Sequence, residues 1–319
     1  MNYKQSGVNI KKGANFISDN ITNIKSTYND CVYKSRNDFS GLYDISTINK
    51  SILSVSCDGV GSKVKLAIKY NNLTGLGQDL VAMSVNDILC SGATPLLFLD
   101  YYATHKLKRK QSDAILNGII NACKYSNIVL LGGETSEMPS VYNKNEFDLA
   151  GFCVGMSNKQ DIIDPNNVKP YQAVIGIKSS GPHSNGYSLI NKIVTKHTPK
   201  HIINKLLEPT RIYTEEIIKI KAMTTLYGIA HITGGGIVDN LVRILPDNIS
   251  VFLNMSNYKI PNIFKWIKYS GNISKKEMEK VFNLGIGMIV IINSKDKFDV
   301  LEMLGNDGID LGYTISNAT

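Results

Sequence analysis

The sequence predicts an α/β (α+β) protein built from two domains. Three observations point there. The chain has 319 residues, enough for two domains of ordinary size. Short apolar runs of strand length alternate with segments whose apolar residues recur at three- and four-residue steps. A polar stretch marked by two prolines, Asp164-Pro165-Asn166-Asn167 and then Pro170, breaks that alternation before it restarts. The expected domains are therefore residues 1–164 and 165–319.

Residues 1–25 read as a polar, Gly-broken arm, with Tyr3-Lys4-Gln5-Ser6-Gly7-Val8-Asn9-Ile10 followed by Lys11, Lys12 and Gly13. A lid over a phosphate and an ordinary disordered start both fit it. Ser51 to Ser56 reads as a strand feeding Ser56-Cys57-Asp58-Gly59-Val60-Gly61-Ser62-Lys63, and then a helix from Val64 to Lys69. In that loop the glycines let backbone N–H groups turn toward an anion. Its lysine can neutralise a phosphate and its aspartate can hold a divalent metal.

After Leu73 to Gly77, a helical pattern runs from Gln78 to Ser91 and stops at Gly92. It carries Asp79, Asn86 and Asp87. A carboxylate inside so apolar a helix is costly unless it is paired or binds metal; a solvated helix face is the other reading. Pro95 to Tyr102 reads as a buried strand, and Lys110 to Tyr125 as an amphipathic helix. Asn127 to Leu131 is expected to be a second buried strand, ending in a turn at Gly132-Gly133-Glu134-Thr135. Glu134 can hold a metal there, or merely serve the turn. Phe147 to Met156 is a further strand.

The second half restarts with a strand from Ala173 to Lys178. It leaves through Ser179-Ser180-Gly181-Pro182-His183-Ser184-Asn185-Gly186-Tyr187, dense in groups that donate to phosphate or ribose oxygens. A helix from Ser188 to Thr195 and another from Tyr213 to Met223 follow. A strand from Gly228 to Thr233 ends in Gly234-Gly235-Gly236 at the start of a helix, Ile237 to Leu245. Free N–H groups and the helix dipole favour an anion at such a place. A helix around Trp266, a buried strand from Ile286 to Ile292, a short helix and a strand from Leu311 to Ile315 finish the chain.

Composition narrows the function. Apolar residues make up 43% and charged residues 19%, as in soluble globular proteins. The run Ile286 to Ile292 is far too short to span a bilayer. Met1 to Lys12 holds no apolar signal core, so a cytoplasmic setting is expected. The net charge of +8 comes from scattered lysines without interleaved aromatics, which argues against a nucleic-acid binder and still attracts anionic small substrates. The five cysteines, Cys31, Cys57, Cys90, Cys123 and Cys153, are isolated, which argues against a disulfide framework or structural zinc.

Familiar nucleotide motifs fail. A Walker A loop needs Gly-Lys-Ser/Thr, whereas Ser62 precedes Lys63. A dinucleotide fingerprint needs a third glycine after Gly59 and Gly61. The acids Asp58, Asp79, Asp87 and Glu134 nevertheless lie in the first half, and the Gly-rich turns of the second half suit an anion. Magnesium is commonly held by a few carboxylates plus substrate phosphates. ATP with Mg2+ in one half and a phosphorylated partner in the other is the expectation.

Several stretches resemble phosphoribosylformylglycinamidine cyclo-ligases, also called aminoimidazole ribonucleotide synthetases. In the first half they are Cys57 to Lys63, Asp79 to Asp87, Phe98 to Thr104 and Gly132 to Pro139. In the second they are Ser180 to Leu189, Pro209 to Tyr213, His231 to Gly236 and Gly271-Asn272 through Phe282 to Met288; the arm Tyr3 to Val8 fits as well. Cys57 and Ser62 stand where the family usually has Thr, and Ser84 where it usually has Cys. The resemblance implies a two-domain fold in which first-domain strands of two protomers pair into a dimeric barrel. It implies ATP-dependent ring closure of formylglycinamidine ribonucleotide in purine synthesis, by phosphorylation of the amide oxygen.

On that resemblance Asp58, Asp87 and Glu134 would hold Mg2+. Gly59, Gly61, Ser62, Lys63, Asp79 and Gly133 would join them around ATP. Ser180, His183, Ser184 and Asn185, or Gly234, Gly235 and Gly236, would take the ribose phosphate. Asp58, Lys63, His183 and His231 would serve the chemistry. A related enzyme phosphorylating another small acceptor, such as a small-molecule kinase or selenophosphate synthetase, and a non-catalytic nucleotide-binding module are the alternatives.

Overall fold

The computed structural model describes residues 26, 30–32, 39, 41–46, 50–256 and 258–317, so the arm at residues 1–25 lies outside the described residues. Two five-stranded sheets organise the chain. The first contains β1 (Gly41–Asp44), β2 (Ser51–Gly59), β3 (Thr94–Thr104), β4 (Val129–Glu137) and β5 (Phe147–Asn158), in the order β1-β2-β5-β3-β4. Its fully described helices are α1 (Lys63–Lys69), α2 (Thr74–Cys90) and α3 (Arg109–Tyr125). Only β3 and β4 run parallel, and α3 is the crossover that a parallel pair requires.

The second sheet contains β6 (Ala173–Lys178), β7 (Leu226–His231), β8 (Ile249–Leu253), β9 (Ile286–Ile292) and β10 (Gly308–Ser316). Their order is β7-β9-β6-β10-β8, antiparallel throughout. Around it lie α4 (Tyr187–Ile193), α5 (Lys200–Leu206), α6 (Thr214–Met223), α7 (Gly236–Val242), α8 (Asn262–Ser270), α9 (Lys275–Val281) and α10 (Lys297–Leu304). Two short 3-10 turns, Lys159–Asp161 and Pro165–Asn167, link the sheets.

Helix α2 joins the two halves. It is buried on nearly every side, including Leu80, Val81, Val85, Ile88 and Leu89. A helix apolar all round belongs in an interior, and α2 lies between the inner face of the first sheet and the second half of the chain. Close approach is written into glycine. A Cβ on Gly151 would come within 2.4 Å of the Phe98 ring, and one on Gly77 within 2.3 Å of the Ile119 nitrogen in α3. That explains why α2 starts at Thr74 rather than Gln78: Gly75 and Gly77 are helical residues, Gly77 letting α3 approach and Gly75 letting Pro209 of the second half approach.

Three other expectations change. Strand β2 continues through Cys57 and Asp58 to Gly59, so Asp58 is a strand residue rather than a loop residue. Gly132 and Gly133 lie inside β4, an exposed edge strand, and not in a turn after a buried one. Gly133 is a strand residue because Asp100 of β3 fills its side of the pleat: a Cβ there would lie 2.3 Å from Asp100 Oδ1. The short strands β1 and β8 and the helices α5 and α9 have no counterpart among the sequence expectations.

The pleat gives the first sheet two unlike faces. Ile52, Ser54, Ser56 and Asp58 point toward α2, as the alternating burial of β2 indicates. Leu53, Val55 and Cys57 point away, opposite Met156, Val154 and Phe152 of β5. Val55, Cys57 and Phe152 are exposed on that outer face.

Candidate active site

A cleft opens where the end of β2 meets the loop after β6. It is lined by Asp58, Gly59, Gly61 and Ser62 on one side and by Ser184, Asn185, Ser188 and Thr233 on the other. The two walls are tied: Ser62 Oγ lies 3.1 Å from Ser188 Oγ, and Asn191 Nδ2 donates to the Ser62 carbonyl at 2.8 Å.

At its inner end Asp58 faces Asp87 of α2. Asp58 Oδ1 accepts from the Gly59 N–H at 2.7 Å. Burial first, and the nearby Asp87 charge second, push the Asp58 carboxyl up to about 6. Asp87 Oδ1 accepts from His231 Nδ1 at 2.8 Å, and Ser56 Oγ lies 3.5 Å from Asp87 Oδ2. The other ring nitrogen, His231 Nε2, faces Asn86 Nδ2 at 3.4 Å. That amide nitrogen can only donate, which assigns the ring proton to Nδ1. His231 is fully buried and orients Asp87.

Two neighbouring carboxylates at the inner end of a cleft, one of them held up by burial and by the charge of the other, are a donor set suited to a hard divalent cation, with phosphate oxygens completing the shell. Among the described residues no cluster of three or more His, Cys, Asp or Glu forms a metal cage. Glu134 does not join the pair within its own chain. It pairs with Tyr101, which pairs with Ala150, which pairs with Gly59, so β4 lies three strands from β2. At the usual strand spacing that is roughly 14 Å. Gly133 shares the inner face with Asp100, so Glu134 points to the outer one.

Lys63 is not free to meet a phosphate. Its ammonium is fully buried and donates to Asp79 Oδ1 at 2.8 Å, the His183 carbonyl at 3.0 Å and the Glu208 carbonyl at 2.7 Å. Those use all three of its protons. Asp79 is equally buried and also accepts from Thr210 N at 2.7 Å and Thr210 Oγ1 at 2.6 Å. Burial pushes Lys63 down and Asp79 up, while each opposes the other's shift by its charge. Both residues join the domains, in place of the nucleotide contact expected from the loop.

His183 is likewise internal. Its φ of 59° is a left-handed conformation that a non-glycine residue keeps only when its surroundings hold it. Here the Ser180 N–H donates to His183 Nε2 at 3.3 Å, and Lys63 holds the carbonyl. Burial, then the charges of His231 and Lys63, push the ring well below the usual histidine range, so it is neutral. Ser180 Oγ donates to the Pro209 carbonyl at 2.6 Å, and Ser184 Oγ lies 3.1 Å from Thr210 Oγ1. Asn185 differs: its Nδ2 is buried with no partner, an uncommitted donor in the cleft wall.

The glycine triplet divides by role. Gly236 packs against α9, where a Cβ would lie 1.8 Å from the Glu279 carbonyl, and its N–H is spent on the Thr233 carbonyl at 3.2 Å. Gly235 is left-handed, with Asp239 beside it, a poor neighbour for an anion. Gly234 lies closest to the cleft, beside Asn185. Asn86, Thr210 and Arg211, noted in the sequence but assigned no role there, also build the junction between the domains. Asn86 Oδ1 accepts from Tyr213 N at 3.2 Å and its Nδ2 donates to the Arg211 carbonyl at 2.9 Å. Their signal was the Asn-Asp pair in an apolar helix and the Pro209-Thr210-Arg211 segment.

Residues 38–157 match the family model described as AIR synthase related protein, N-terminal domain, and residues 169–315 match its C-terminal counterpart. The phosphoribosylformylglycinamidine cyclo-ligase of Thermoanaerobacter sp. (strain X514) is 42% identical over 319 residues, covering 97% of this chain and 95% of the relative. That of Syntrophus aciditrophicus (strain SB) is 42% identical over 326 residues, covering 97% and 94%. A solved structure of AaThiL complexed with AMPPCP and TMP aligns with a TM-score of 0.65 at 15% identity, covering 93% of this chain and 90% of that one. Thiamine monophosphate kinase from Aquifex aeolicus aligns with a TM-score of 0.65 at 14% identity, covering 93% and 92%. At such identities the two structures speak for the fold alone.

Proposed function

The chain belongs to the AIR synthase family, and from that premise we propose that it is a phosphoribosylformylglycinamidine cyclo-ligase. It converts formylglycinamidine ribonucleotide and ATP into 5-aminoimidazole ribonucleotide, ADP and phosphate, in purine biosynthesis. The observation that carries this reading is the end-to-end match at 42% identity, which spans both walls of the cleft.

An amide oxygen leaves poorly. Transfer of the γ-phosphoryl group to it makes a C–O–P linkage. An internal nitrogen then attacks that carbon, the C–O bond breaks, and phosphate departs with the electron pair. Phosphoryl transfer needs positioning and charge stabilisation more than covalent help. Asp58 and Asp87 would hold Mg2+, which when bound neutralises charge on the phosphate oxygens. His231 keeps the Asp87 carboxylate oriented through its Nδ1–H. The backbone of Gly59 to Ser62 flanks the phosphates, and Asn185 Nδ2 donates to the ribonucleotide. Lys63, Asp79 and His183 act at one remove, by holding the loop that carries Ser184 and Asn185. Gly133 and Glu134 lie away from the Asp58–Asp87 pair within one protomer.

ATP as phosphoryl donor is in line with AMPPCP in the AaThiL structure. A homodimer formed through the outer face of the first sheet would cover Val55 and Phe152. No helix among the described residues is long and apolar enough to cross a membrane, and cysteines that form no disulfide among the described residues suit a reducing cytoplasm.

Phosphate release from ATP, measured with and without formylglycinamidine ribonucleotide, tests the reaction directly. Release must depend on that substrate. Asp87→Ala is expected to lower turnover at least about 100-fold and to raise the Mg2+ requirement. Full turnover with an unchanged Mg2+ requirement would remove Asp87 from the metal site.

A further inference from the structure

A cavity of about 940 Å³ lies in the second domain and shares no lining residue with the cleft. Strands β6, β10 and β8 contribute Ala173, Asp310, Tyr313 and Phe252. The segment after β8 contributes Tyr258 and Lys259, and the start of α10 contributes Lys297 and Phe298.

Two features set it apart from an ordinary surface hollow. The first is aromatic. Phe252 and Tyr313 are paired at 5.3 Å between ring centroids and 31° between planes, yet they are 49% and 42% exposed. Phe298 and Tyr171 on the rim are 74% and 76% exposed. Four accessible rings around one concavity form a stacking surface, of which only the Phe298 ring carries a cation, the Lys297 ammonium at 5.1 Å from its centroid, among the described residues. Tyr258 adds a further wall, its hydroxyl committed to the Leu284 carbonyl at 3.0 Å.

The second is charge. Three lysines, Lys178, Lys259 and Lys297, line the cavity against one acid, Asp310. Lys297 satisfies that acid at 2.8 Å. The ammonium groups of Lys178 and Lys259 have no partner among the described residues. The cavity thus presents flat apolar faces beside two uncompensated cations. A ligand that satisfies both is planar at one end and anionic at the other. The volume, within the range of small-molecule sites, suits one such molecule rather than a polymer.

We propose that this cavity is a second, non-catalytic site that binds a purine mononucleotide, its base against Phe252 and Tyr313 and its phosphate toward Lys178 and Lys259. The inference stands on the cavity alone and does not depend on the proposed reaction.

Equilibrium dialysis with labelled AMP tests it, run with and without saturating AMPPCP and Mg2+ to occupy the cleft. One AMP per chain is expected to persist in the presence of AMPPCP. Phe252→Ala is expected to weaken AMP at least about 10-fold, from the loss of base stacking. Lys259→Met should weaken it to a similar extent, and both side chains are exposed, so both variants should fold. Displacement of AMP by AMPPCP would overturn the proposal, as would AMP binding unchanged in both variants. Ribose 5-phosphate competing as well as AMP would remove the base from the recognition. A ribo-oligonucleotide binding at least 10-fold tighter than AMP would overturn the mononucleotide assignment. If AMPPCP itself fails to bind, the cleft reading fails while the cavity result stands.

Discussion

Replacing Lys63 with Met keeps the length of the side chain and deletes the charge that joins the domains. The ammonium serves Asp79, the His183 carbonyl and the Glu208 carbonyl, all away from solvent. Removing one partner of a buried ion pair costs about 3–5 kcal/mol. Asp79 limits the loss, because it keeps the two Thr210 hydrogen bonds and can take a proton instead. Against a typical total of roughly 5–15 kcal/mol, the loss is large. With a urea slope near 3 kcal/mol per molar it shifts the unfolding midpoint by about 1–2 M. Adding Asp79→Leu removes the stranded charge and should return at least half of the lost stability, since an apolar pair has no ionic desolvation cost. Activity should not return with it. The loop carrying Ser184 and Asn185 still lacks its anchor, so KM for formylglycinamidine ribonucleotide stays high while KM for ATP moves little. A Lys63→Met protein with an unaltered urea midpoint and a raised KM for ATP would refute this reasoning and return the lysine to the phosphates.

Asp58 gives a pH test. Its carboxyl is raised to about 6, so the folded state holds this proton more tightly than the unfolded chain, whose value is near 4. The resulting penalty is absent below pH 4, grows between about pH 4 and 6, and is complete above. Asp58→Asn should therefore stabilise the Mg2+-free protein at pH 8 by up to about 3 kcal/mol and change nothing at pH 4 in denaturant titrations. Calorimetry should show Mg2+ affinity in the unsubstituted protein falling as pH drops through 6. Gly77→Ala forces a methyl group against the α3 backbone, 2.3 Å from Ile119 N, and is expected to cost more than 3 kcal/mol or prevent folding; a melting temperature within two degrees of the parent would contradict the close packing. Val55→Lys with Phe152→Lys places charges on the outer face of the first sheet and should yield a monomer by light scattering, with Cys57 newly open to alkylation. A dimer that survives both substitutions would move the interface elsewhere.

Asp58 and Asp87 were legible because acids are conspicuous beside apolar runs, and burial makes such acids cluster or pair. Asp79 was equally conspicuous, but its partner was not. Lys63 stands in a Gly-rich motif that looks made for phosphate, and nothing local shows that its ammonium is desolvated by carbonyls 120 and 145 residues away. The two glycines of β4 carry the signature of a turn. Their strand conformation is a tertiary fact, set by pairing with β3 and by the room Asp100 needs. The same pleat sends Glu134 to the opposite face from Asp58, a relation that depends on the bulge between Phe98 and Leu99 in the β3–β4 pairing. Strand β1 is too short and polar to announce itself. Glycines 75 and 77 mimic a loop because the helix they belong to is stabilised by packing, not by propensity.

The distance along the chain between Lys63 and its carbonyl partners has a consequence for synthesis. Those partners emerge from the ribosome 120 and 145 residues later, which at about 5–20 residues per second is roughly 6 to 30 s. During that interval the first half can fold around β2, β3 and β5, but the side of α2 bearing Asp79 and Asn86 has nothing to pack against. Polar groups there keep water on a surface that would otherwise be an apolar target for neighbouring nascent chains. The groups that later join the domains thus serve first as a wet, non-sticky seam, which dries only when Thr210 and the His183 loop arrive.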